Sequence, residues 1–129
     1  MGKLRLGSWV LTCVAMLVAT SFAVAQESPF RSKTLRIVVG SGPGGSSGTI
    51  AQLLAEHIGR KIPGQPAVLP QYMPGAGGSV AMNYVYGVAP TDGTVLGLYL
   101  PGALIAELLS PAEARYKSEE IQWVGRVLG

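Results

Sequence analysis

The stretch Thr34-Leu35-Arg36-Ile37-Val38-Val39-Gly40-Ser41-Gly42-Pro43-Gly44-Gly45-Ser46-Ser47-Gly48 decides the fold. Its opening residues are mostly apolar and β-branched, the composition of a buried strand, and Gly40 ends the run. A loop of glycine, serine and proline follows. Beyond it Ile50, Leu53, Leu54, His57, Ile58 and Ile62 recur at helical spacing, with Ser46, Ser47 or Thr49 available as N-cap and Pro63-Gly64 as the stop.

The same unit then repeats. Ala67-Val68-Leu69 reads as a short strand, Met73-Pro74-Gly75-Ala76-Gly77-Gly78 as a second glycine loop, and Ser79 opens a helix through Val80, Asn83, Tyr84 and Val85. A turn at Pro90-Thr91-Asp92-Gly93 leads into a third strand, Thr94 to Tyr99. Helical residues from about Ala103 to Leu109 follow, and Gln122 to Val127 is expected to form a fourth strand. Strands alternating with helices predict an α/β domain with a mostly parallel sheet flanked by helices. In such sheets ligands bind at the carboxyl ends of the strands, where both glycine loops fall.

The chain has 129 residues, of which 48% are hydrophobic, and a net charge of +3, which suits one small globular unit. Part of that hydrophobicity is a leader. Basic Met1 to Arg5 precedes an apolar run from Trp9 to Val24 and an Ala23-Val24-Ala25 cleavage pattern, so residues 1–25 read as a signal peptide. An uncleaved membrane anchor is the alternative, but the run is interrupted by Thr12, Thr20 and Ser21, and spanning takes roughly 20 mostly apolar residues. The expected route is therefore export with cleavage after Ala25. Cys13, the one cysteine, leaves with the leader, which excludes a disulfide framework or a thiolate site in residues 26–129. Loss of Lys3 and Arg5 brings the remainder near neutrality, and nothing resembles a basic footprint for nucleic acid.

Gly40, Gly42 and Gly45 match the dinucleotide fingerprint in local pattern. That reading also needs a carboxylate at the end of the second strand to hold a ribose, where this chain has Leu69-Pro70-Gln71-Tyr72. Pro43 removes a backbone donor, and no lysine serves a phosphate loop. A nucleotide-dependent α/β enzyme is thus the alternative by class. The loops otherwise offer glycine backbone and helix N-termini, which attract anions without any charged side chain. Two such loops facing one another would hold a carboxylate from both sides, with the hydroxyls of Ser46, Ser47 and Ser79 as added donors. The competing reading is that the glycines only make tight turns and allow close helix packing.

Catalytic constellations are scarce. His57 reads as a helix residue rather than a base, and Asp92 as a turn residue bonded to its own backbone. Glu113, Glu119 and Glu120 read as a solvated face, and Tyr72, Tyr84 and Tyr86 as packing residues. The pattern contains no metal cluster and calls for no cofactor.

The segments Ile37 to Gly45, Met73 to Gly78 and Ala89-Pro90-Thr91-Asp92-Gly93-Thr94 resemble, in order and spacing, the receptor family of tripartite tricarboxylate transporters, also called Bug-type solute receptors. Asn83-Tyr84 and Trp123-Val124-Gly125 fit a divergent branch. The resemblance implies a two-lobe periplasmic-binding-protein-like receptor, not an enzyme, with membrane permease subunits as partners. It further implies that backbone amides of the first two strand-to-helix loops hold a di- or tricarboxylate. Carried over, those loops are Gly44, Gly45, Ser46 and Ser47, and Pro74, Gly75, Ala76, Gly77, Gly78 and Ser79. Many relatives carry an aspartate at the position of Gly48, and the branch often has an aromatic at that of Ser47. Residues 26–129 correspond to the N-terminal lobe with the second lobe absent, so the expected product is a receptor fragment, a truncated receptor or a remnant that no longer binds.

Overall fold

A computed structural model describes residues 28–98 and 101–127; the signal-peptide reading lies outside them. Three strands, β1 (Thr34–Val39), β2 (Ala67–Tyr72) and β3 (Val95–Leu98), form a parallel sheet in the order β2-β1-β3. The helices are α1 (Ser46–Ile58), α2 (Ser79–Gly87) and α3 (Pro101–Leu109). The expected α/β architecture is therefore present, with each helix following the strand that feeds it.

The central strand explains the layering. Leu35, Ile37, Val38 and Val39 are all buried, as a strand covered on both faces requires. Ile37 and Val39 turn to α1, where they meet Ala51, Leu54 and Ala55 together with Val68, Tyr72 and Leu98 of the flanking strands. The alternate residues turn to α2. There Arg36 donates from Nη1 to Gln71 Oε1 and to Tyr84 Oη, each at 3.3 Å. A second small core joins Met82 of α2, Ala103 of α3 and Tyr116, with Ala114 and Ile121 against them.

The strand β2 runs three residues past its expected end, through Pro70 to Tyr72. Proline is tolerated because β2 is an edge strand. Met73 N–H donates to Val39 O at 2.8 Å, so by the two-residue alternation Pro70 faces away from β1 and no ladder bond is lost.

Two local expectations are corrected. No serine or threonine caps α1: its N-cap is Gly45, in extended conformation and with no side-chain cap. Thr49 lies too far into the helix and instead donates its hydroxyl to Gly45 O at 3.3 Å. The fourth strand is also not formed. Residues 122–127 carry no ladder, and Trp123 and Val124 are 55% and 86% exposed. A β-prone segment becomes a strand only beside a sheet edge, and this one is tethered locally, Trp123 Nε1–H donating to Ser118 O at 3.1 Å.

The turn before β3 forms as expected. Asp92 Oδ1 accepts from Thr94 N–H at 3.1 Å and from Thr94 Oγ1–H at 2.6 Å, and Lys33 Nζ lies 3.3 Å from Oδ2. These bonds, the threonine hydroxyl first, hold the Asp92 carboxyl below its usual range. Among the described residues no helix is long and apolar enough to cross a membrane.

Candidate anion-binding edge

The first loop leaves β1 at Gly40, whose N–H donates to Leu98 O of β3. It turns at Gly42 to Gly45 and folds back over the start of α1. The carbonyls of Gly42 and Pro43 lie so close to buried Gly48 that a Cβ there would sit 2.6 and 2.5 Å from their oxygens. Gly44, Gly45 and Ser46 are exposed and Ser47 is half-buried. The N–H groups of Ser46, Ser47 and Gly48, in the first turn of α1, meet no acceptor within the described residues, nor does that of Gly44.

The second loop has an unusual backbone. Gly75, Ala76, Gly77 and Gly78 all have positive φ, at 141°, 46°, 62° and 104°. Glycine adopts this region freely. Ala76 does so at a cost of about 1–2 kcal/mol, a strain of the kind that persists where the surroundings impose it and function uses it. Successive backbone N–H groups in a turn conformation can form an anion-binding concavity. Gly78 N–H closes the turn onto Gly75 O at 2.8 Å and Ser79 N–H donates to Ala76 O. Those of Gly75, Ala76 and Gly77 stay without a partner among the described residues.

Sequence order separates these loops, and the sheet joins them. A Cβ on Gly40 would lie 2.9 Å from Gly78 Cα, so the start of the first loop rests on the end of the second. The start of α3 comes in beside them. At the start of α3 a Cβ on Gly102 would lie 3.1 Å from Gly77 O. Three helix N-termini therefore gather at the carboxyl edge of the sheet, and none has an acidic residue in its first turn. Helices commonly place Asp or Glu there to balance the positive end of the dipole; here that end is left uncompensated.

The sequence reading placed Ser79 among the hydroxyl donors, and the structure corrects this. Ser79 is buried, its Oγ is 3.2 Å from Tyr116 Oη, and Tyr116 Oη–H donates to Ala103 O. A tyrosine hydroxyl has one proton, so Ser79 must donate to it and has none left for a ligand. Pro74 has no N–H, and Gly78 and Ser79 have committed theirs. Gly45 N–H is likewise committed, to Gly42 O, so among the described residues the donors left to these two loops include the amides of Gly44, Ser46, Ser47, Gly48, Gly75, Ala76 and Gly77 and the hydroxyls of Ser46 and Ser47. The start of α3 and Tyr116 escaped the sequence reading. Pro101-Gly102 at a helix start was the available signal for the first, while nothing local marks Tyr116.

Catalytic groups are not gathered here. His57 is exposed on α1, with Nδ1 2.8 Å from Leu53 O. Asp92 lies at the opposite end of β3, and Glu120 is occupied by Lys117 at 3.0 Å and by Tyr86. Among the described residues no group of three metal-binding side chains occurs.

The described edge of this α/β unit is neutral and lined by backbone amides. The chain is similar to a UPF0065 protein of Bordetella bronchiseptica, 32% identical over 110 residues that cover 85% of this chain and 32% of the relative. It is also similar to a UPF0065 protein of Bordetella pertussis, 36% identical over 86 residues that cover 67% of this chain and 25% of the relative. It spans about a third or less of the length of these curated relatives. No family model and no solved structure matches.

Proposed function

We propose that this chain is the N-terminal lobe of a Bug-type periplasmic solute receptor, the family that the UPF0065 name covers, and that it captures a small organic carboxylate for a tripartite tricarboxylate transporter. The observation that carries the proposal is the meeting of the two glycine loops at Gly40 and Gly78, each loop leading into a helix N-terminus with unpaired amides. A carboxylate needs several N–H donors converging on two oxygens, and these loops supply them without a fixed charge. The UPF0065 relatives support the same family.

In this reading Gly44, Ser46 and Ser47 hold one side of the carboxylate and Gly75, Ala76 and Gly77 the other. Pro74, Gly78 and Ser79 shape the second loop. Permease subunits receive the ligand, and export through the signal peptide delivers the protein to the periplasm. The chain binds and does not transform. The nucleotide-enzyme reading finds no support at the end of β2, where Gln71 and Tyr72 stand in place of a ribose-holding carboxylate.

A thermal-shift screen of the purified chain against citrate, other di- and tricarboxylates, aromatic acids, NAD and ATP tests the proposal. Stabilisation that grows with the concentration of one carboxylate is the expected result, as binding to the native state requires. Stabilisation by a nucleotide would assign the protein to the enzyme class. A cooperative melt that none of these compounds moves would identify a remnant that does not bind.

A further inference from the structure

Tyr116 is distant in sequence from every loop of the site, yet its side chain ends between the first turns of α2 and α3. It is 2% exposed and packs with Met82 and Ala103. Its hydroxyl accepts a hydrogen bond from Ser79 Oγ–H and donates one to Ala103 O. The two ends of this chain of hydrogen bonds adjoin the glycines that touch across the loops. Ser79 follows Gly78 and Ala103 follows Gly102, and Gly102 rests on Gly77. The segment bearing Tyr116 is itself held by α2. Asn83 Nδ2–H donates to Glu113 O at 3.0 Å, and Arg115 N–H donates to Asn83 Oδ1 at 2.7 Å, so one amide pairs with the backbone as a neighbouring strand would.

We infer that Tyr116 is a positioning residue for the anion-binding edge, its hydroxyl locking the second loop and the start of α3 into one arrangement. The lock rests on hydrogen bonds already described; its consequence for affinity rests on the carboxylate reading. The left-handed run from Gly75 to Gly78 contains a strained Ala76 and has little apolar packing of its own. Anchoring it at both Ser79 and Gly102 limits the conformations it samples before a ligand arrives, and such preorganisation is where binding affinity is gained. Without the hydroxyl, the buried Ser79 Oγ–H loses its partner and the Ala103 carbonyl keeps only its bond within α3, so the second loop regains freedom to satisfy Ser79 elsewhere.

The test compares Tyr116→Phe with Tyr86→Phe in the full chain. The second variant deletes a hydroxyl from an exposed tyrosine on α2, the helix that Ser79 opens, whose partner is Glu120 rather than a loop. Amide resonances are followed by NMR, and citrate is titrated as the probe. For Tyr116→Phe the expected result is shifted or broadened lines at Gly77, Gly78, Gly102 and Ala103, unmoved lines in β1 and α1, and citrate affinity weakened about tenfold. Tyr86→Phe should leave the loop lines and the affinity as they are. Ser79→Ala removes the other end of the chain of bonds and should move the same four lines, which keeps the test decisive if Tyr116→Phe does not fold. Unmoved lines at Gly77 and Gly102 in a folded Tyr116→Phe or Ser79→Ala variant would overturn the lock. Failure of the wild-type chain to bind citrate would count against the carboxylate reading for that probe, and the amide lines would still decide the role of Tyr116.

Discussion

Replacing Gly40 by alanine puts the contact between the two loops to a direct test. The added Cβ would lie 2.9 Å from Gly78 Cα and 3.5 Å from Gly78 O, whereas carbon atoms settle at about 3.5–4.0 Å. The loops must therefore part by roughly 0.6 Å or more at this point. Neither side can yield by a rotamer change. Gly78 is backbone, held by its N–H bond to Gly75 O, and Gly40 is held to Leu98 O across the ladder. Overpacking of this kind costs about 1–3 kcal/mol, and in a domain of this size each kcal/mol lowers the melting temperature by about 4–8 °C. Gly44→Ala is the internal control. It has nothing within 4 Å and no positive φ, so it should stay within about 0.5 kcal/mol of wild type. Circular dichroism melts and denaturant titrations of both variants give the two numbers. A Gly40→Ala protein as stable as Gly44→Ala would refute the close approach of the loops, on which the carboxylate proposal rests.

Two further predictions concern single positions. Gly48→Asp places a Cβ 2.5 Å from Pro43 O; the crowding of about 1–3 kcal/mol should outweigh the 0.3–1 kcal/mol or so that an acid contributes at a helix N-terminus. Chemical denaturation beside Gly48→Ala separates crowding from charge, and a stabilised Gly48→Asp would show that the first loop does not close over α1 as described. Asp92 should add to acid sensitivity: its folded carboxyl is depressed, chiefly by Thr94, so its contribution is complete above the unfolded carboxylate range and is lost as pH falls through the folded value. Asp92→Asn should therefore flatten the acid limb of the stability–pH curve, and an unchanged limb would remove Asp92 from that account.

Much of the architecture was legible because it rests on local pattern. The buried β1, the helical spacing after each glycine loop and the Asx turn at Asp92 depend on residues near one another in the chain, and each appears where expected. The misses fall where a neighbour distant in sequence decides. Pro70 stays in a strand because β2 lies at the sheet edge, and residues 122–127, equally strand-like in composition, have no edge beside them. The cap of α1 passed from serine to Gly45 because the folded-back loop left extended backbone at that glycine and placed Ser46 inside the helix.

The candidate site divides in the same way. Sequence alone determined that two glycine loops each precede a helix and that neither carries charge, since spacing and composition need no third dimension. Only tertiary structure decided which amides remain free, that Gly40 meets Gly78, that Gly102 sets the start of α3 against Gly77, and that the Ser79 hydroxyl belongs to Tyr116. The physical reason is that donor availability is a property of pairs. Whether an N–H or O–H can serve a ligand depends on the acceptor that folding has already placed beside it, and for Ser79 that acceptor lies 37 residues further along the chain.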